Sequence, residues 1–105
     1  MTQPSFEEIW QKIVSRLTPG MTIRNWTILQ GYFGDDIEII DVTPDMIVIK
    51  IPTAKYLYSV PRDDFQKLWQ VWPAYKNGQI DRLQTSPITR FSRYIIDILH
   101  WVEQN

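Results

Sequence analysis

Ile37-Glu38-Ile39-Ile40-Asp41-Val42-Thr43-Pro44-Asp45-Met46-Ile47-Val48-Ile49-Lys50-Ile51 holds two strand-length apolar runs separated by Thr-Pro-Asp. Isoleucine and valine favour a pleated backbone, and Pro with Asp between two such runs marks a tight turn. The stretch therefore reads as a hairpin of strands 37–42 and 46–51. Side chains alternate across a strand, so Ile47, Ile49 and Ile51 share one face and Met46, Val48 and Lys50 the other. Both faces carry apolar residues. Either helices cover both, or one face meets another chain.

Working outward, Thr22–Thr27 and Lys55–Val60 read as further strands, and the segment from Gly31 to Asp36 reads as a loop. Before them, Phe6, Ile9, Trp10, Ile13 and Leu17 recur at helical spacing behind a Ser5-x-x-Glu8 capping pattern, which predicts a helix over 6–17 ended by Thr18-Pro19-Gly20. After them, a second helix follows Pro61, with Asp63 and Asp64 in its first turn. Phe65, Leu68, Trp69 and Trp72 form its stripe, and Pro73 is its stop. Residues 74–86 read as a connector, and a third helix starts with Ser86 as cap and Pro87 at its first position. Strands grouped between helices predict an α+β fold: an N-terminal helix, a three- to four-stranded antiparallel sheet, and two C-terminal helices packed on the sheet. The 105 residues fit a single domain.

Composition narrows the chemistry. The chain has 5 Trp, 5 Tyr and 4 Phe, but one His and no Cys. Rings supply contact area, whereas His and Cys supply most nucleophilic, acid–base and metal chemistry. No disulfide, thiolate zinc site, phosphate-binding glycine loop or calcium loop can be read, so no cofactor and no metal are expected. Arg93, Asp97 and His100 share a helix side, which would let Asp97 orient a general base. The ordinary reading is a surface histidine near a helix end. The expectation is a protein that is not an enzyme. With no signal-like start and no long apolar run, it is expected to be cytoplasmic and to have no membrane partner.

The blocks Phe6-Glu-Glu-Ile-Trp10, Gly31-Tyr-Phe-Gly-Asp-Asp36, Val60-Pro-Arg-Asp-Asp-Phe65 and Arg90-Phe-Ser-Arg-Tyr-Ile-Ile-Asp-Ile-Leu-His-Trp101 resemble those of small uncharacterised bacterial α+β proteins, some carried on mobile gene cassettes. The resemblance implies a small stand-alone domain and assigns no catalytic or binding residue.

What remains is recognition. Aromatic and arginine side chains concentrate at binding hot spots. Tyr32, Phe33, Tyr56, Tyr58 and Trp72 are the expected protein-binding surface, serving self-association as a homodimer or another protein partner. The alternative is a nucleic-acid-binding accessory protein whose Arg82, Arg90 and Arg93 form an anion-binding patch, although a net charge of −1 supplies no global field for nucleic acid. A small-ligand binder with an aromatic-lined pocket is the third possibility.

Overall fold

A computed structural model describes residues 4–27, 31–32, 36–52 and 54–104. The fold is α+β: an N-terminal helix, a four-stranded antiparallel sheet, a separate two-stranded ribbon and C-terminal helices.

Helix α1 spans Phe6–Arg16. Ser5 Oγ accepts the Glu8 N–H at 3.2 Å, satisfying one of the donors that a helix start leaves open. Ile9, Trp10 and Ile13 are buried along one stripe. Leu17 leaves the helix in an extended conformation, and Gly20 at φ 94° reverses the chain toward the sheet, where its N–H meets Ile39 O at 2.7 Å. Only glycine takes that φ without strain.

Strands β1 (Thr22–Ile23), β4 (Ile37–Val42), β5 (Met46–Lys50) and β6 (Tyr58–Pro61) form the main sheet in the order β1-β4-β5-β6. The predicted hairpin is its centre. Thr43 closes the turn: its Oγ1 accepts the N–H groups of Asp45 and Met46 at 3.2 and 3.0 Å. The Trp10 indole donates to Pro44 O at 3.0 Å, tying that turn to α1. A bulge at Ile40 shifts the register between Ile39↔Ile49 and Asp41↔Val48. Register then separates the faces. Ile23, Ile37, Ile39, Ile47, Ile49 and Val60 are buried against the helices. Thr22, Glu38, Asp41, Met46, Val48, Lys50 and Ser59 lie on the opposite face, exposed or half-buried. The described helices thus cover one face, and the other is largely polar.

The 22–27 segment is broken. After β1 the chain leaves the sheet, and β2 (Trp26–Thr27) pairs instead with β3 (Gly31–Tyr32), within what reads as a loop in sequence. The last strand sits later than its 55–60 expectation, because Lys55 and Tyr56 fall in a bend and pairing starts at Tyr58.

Helix α2 (Arg62–Trp69) ends before Trp72, and Pro73 opens α3 (Trp72–Lys76) rather than closing α2. Proline lacks only a donor that a helix start does not use, so the first turn accommodates it. The stripe survives the break: Phe65, Leu68, Trp69 and Trp72 are all buried. Trp72 is 1% exposed and its indole donates to Glu103 at 2.9 Å, which corrects its expected place on an open surface.

Helix α4 (Arg82–Thr85) lies within the expected connector, with Asp81 and Gln84 forming a reciprocal capping box. Ser86 is therefore the C-cap of α4, not the start of the last helix. Helix α5 (Ser92–Gln104) begins after Thr89, whose hydroxyl accepts the Phe91 N–H at 3.1 Å and donates to Asp64 on α2 at 3.0 Å. At its far end, Arg16 of α1 donates to Val102 O at 3.2 Å. Helix α5 packs on α1, α2, α4, β1 and β2, and Ile95, Ile96, Ile98 and Leu99 are fully buried. No helix among the described residues is long and apolar enough to cross a membrane.

Trp72 belongs to the core, so Trp72→Ala is expected to cost about 3–5 kcal/mol of stability. Chemical denaturation measures this directly, and an unchanged midpoint would contradict the packing.

Candidate functional site

The three arginines singled out in the sequence are brought together by the α4 cap and the α4–α5 turn. The capping box sets Arg82 at the first position of α4. Its guanidinium crosses to the start of the ribbon, where Nη2 donates to Trp26 O at 2.7 Å and Asn25 Oδ1 at 3.1 Å. The same nitrogen lies 3.4 Å from Asp97 Oδ1. Arg90, in the turn, holds its guanidinium carbon 4.7 Å above the centre of the Phe91 ring, and Arg93 is exposed on the first turn of α5. Arg82, Arg90 and Arg93 then line one surface pocket of about 300 Å³ with Leu83, Ser86, Ser92 and Tyr94.

No acid stands in the first turn of α5 and no base in its last. The usual charge preference of helix ends is therefore inverted, because the positive end of the dipole has Arg93 beside it. Three cations, three hydroxyls and a helix start around one concavity make a local positive field on a chain whose formal charge is −1. Leu83 on the rim is 82% exposed.

Behind the arginines sits Asp97, 1% exposed. Its Oδ1 accepts the Trp26 backbone N–H at 2.8 Å and faces Arg82, so one carboxylate joins α5, β2 and α4. Burial pushes its pKa up to about 7, against the opposing pull of the Trp26 hydrogen bond and of Arg82 and Arg93. His100, one turn further along α5, stacks on Trp26 with ring centres 3.8 Å apart and planes 6° from parallel. Its Nε2 shares a 2.9 Å hydrogen bond with the Tyr32 hydroxyl, and Arg24 lies 4.4 Å over the Tyr32 ring. Burial lowers the His100 pKa, with Glu103 opposing, so the ring is neutral at pH 7. Asp97 thus orients Trp26 and Arg82, while Tyr32 is what holds His100. A second pocket, of about 140 Å³, is lined by Thr22, Ile23, Arg24, Tyr32, Asp97, His100 and Trp101.

The aromatic set does not form one surface. Tyr32 is 46% and Tyr56 77% exposed, and Leu57 beside Tyr56 is 52% exposed. Tyr58 is half-buried, packed against Phe91 and Tyr94 at 6.1 and 5.9 Å. Trp72 is in the core, and Phe33 lies outside the described residues. Sequence reading missed Asn25, Trp26, Ser86 and Ser92 as neighbours of the arginines. The approach of Asn25 and Trp26 depends on long-range docking of the ribbon on α5, for which no local pattern exists, whereas Ser86 and Ser92 are sequence neighbours of the arginines. Comparison with protein-family models, curated proteins and solved structures returned no match.

A buried carboxyl whose folded pKa lies above its unfolded value of 3.8 binds its proton more tightly in the native state. Its contribution to stability therefore falls as pH rises from about 4 to 7. The His100 shift acts in the opposite sense below its unfolded value of 6.5, so Asp97 is isolated by comparison with Asp97→Asn. The stability difference is expected to move in favour of wild type as pH drops from 7 to 5, by up to about 1.4 kcal/mol per pH unit. Denaturation at a series of pH values reads it out; a pH-independent difference would contradict the buried ionisation.

Proposed function

We propose that this protein binds nucleic acid non-covalently, holding backbone phosphates in the pocket of Arg82, Arg90 and Arg93. The observation that carries the reading is the convergence of these three arginines, from two helices and the turn between them, on one concavity with no acid in its lining. Arginine forks match phosphate oxygens, and the start of α5 adds its dipole in the same direction. Arg90 and Arg93 are exposed, as phosphate ligands must be before binding, and Arg82 is already oriented by Trp26, Asn25 and Asp97. A basic first turn on a helix sacrifices a favourable dipole interaction. A local loss of that kind is most common where recognition requires it.

Phosphate contacts release counterions, so affinity for a labelled single-stranded oligonucleotide is expected to fall steeply with salt. Arg90→Gln and Arg93→Gln should each weaken binding to all sequences alike and reduce the salt slope by about 1. Fluorescence anisotropy across a salt series measures both quantities, and unchanged slopes in the double variant would remove the pocket from the reading.

A second reading has its own observation. Tyr56 and Leu57 are adjacent and strongly exposed, which suits a contact with a second copy or another protein. Under it, Tyr56→Ala with Leu57→Ser would abolish association seen by light scattering while leaving oligonucleotide binding intact. A monomer at every concentration tested would exclude self-association through this pair.

A further inference from the structure

The pocket beside Asp97 is a second, separate feature. It is small, about 140 Å³, and is walled by Ile23 and by the rings of Tyr32, His100 and Trp101, with Arg24 at its rim. A cavity of about 150 Å³ holds one benzene ring, so the space suits a single six-membered ring and little more. Asp97 is among its lining residues and is almost wholly buried. Its Oδ1 serves Trp26 and Arg82, whereas Oδ2 has no hydrogen-bond partner among the described residues. A buried polar atom left without a partner is rare in native proteins and points to a group that arrives from outside.

We propose that this pocket binds a planar six-membered ring carrying an exocyclic amino group, the chemistry of a cytosine base, with Asp97 accepting the amino protons. Acidic side chains are the natural acceptors for that group, and Arg24 at the rim is a donor suited to the ring carbonyl. Neutral His100, held by Tyr32 and stacked on Trp26, keeps the wall flat and uncharged. Asp97 joins the two pockets through Arg82, so a strand with its phosphates on the arginines has a base site at hand. In that one respect, the source of the base, the proposal rests on the nucleic-acid reading; the site itself does not.

The test uses cytidine, which has no phosphate, titrated into isotope-labelled protein while the amide and indole signals of Trp26 and the ring signals of His100 are followed. Saturable shifts are expected with cytidine and weaker ones with uridine, which presents a carbonyl where cytidine presents the amino group. Asp97→Asn should weaken cytidine by about tenfold or more. Tyr32→Ala, which removes a half-exposed wall without touching the core, should also weaken it and serves if Asp97→Asn does not fold. Arg90→Gln and Arg93→Gln should leave cytidine binding unchanged, even if they abolish oligonucleotide binding. No saturation at millimolar cytidine, equal affinity for uridine, or undiminished binding in both pocket variants would overturn the site. A preference for oligo-dC over oligo-dT that disappears in Asp97→Asn would assign the base to a bound strand. Cytidine binding without that preference would assign it to a free base.

Discussion

The carboxylate of Asp97 is the point on which the described architecture turns. It is buried in the middle of the longest helix, yet it spends its one bonded oxygen on two segments far away in sequence, the backbone of Trp26 and the guanidinium of Arg82. A buried carboxyl is costly unless it is bonded, and removing the Trp26 N–H or Arg82 would leave it to bear that cost without that partner. The ribbon therefore has a strong reason to stay docked on α5, and α4 to stay docked on the ribbon. Within the described residues β2 pairs with β3 at two positions, so much of its anchoring comes from this junction and from the Trp26 ring, which stacks on His100 and meets Trp72 and Tyr75 edge-on. The arginine pocket and the small pocket are both by-products of the same junction.

The tryptophans show how the rest of the core is made specific. Trp10, Trp69 and Trp72 bury their rings, and each donates its indole N–H to a distant acceptor: Pro44 O, Pro4 O and Glu103 respectively. Apolar area drives the burial, and the directed bond selects one orientation of it. Glu103 also pairs with Lys76 at 3.0 Å, so the end of α5 is fastened to α3 as its middle is fastened to β2.

Much of this was legible in the sequence, for reasons that differ by element. The hairpin and α1 follow from strictly local patterns, namely β-branched runs around Thr-Pro-Asp and a capped stripe of period 3.6. The α2–α3 break was not legible, because Trp72 continues the apolar stripe and a proline reads equally as a stop or a start. Ser86-Pro87 misled for a related reason: the stronger local signal was Asp81 with Gln84, which claims the preceding turn for α4. At the site, the arginine cluster was visible as a list of residues, but Asn25 and Trp26 joined it only through tertiary docking. Exposure of the aromatic residues was the least legible property, since Tyr56 and Trp72 look alike in sequence and sit at 77% and 1% exposure.

The sheet ends carry a further consequence. Its outer strands are short, two residues for β1 and four for β6, and β6 finishes on Pro61, immediately before the chain turns into α2. Proline presents no N–H, and so few free backbone groups make a poor template for another chain. An isoleucine-rich hairpin of this kind would be a hazard if it stood at the margin. Placed inside the sheet, it has a strand neighbour on each side, β1 along Ile37 and Glu38 and β6 along Met46 to Ile49, so only short stretches of free edge remain for another chain.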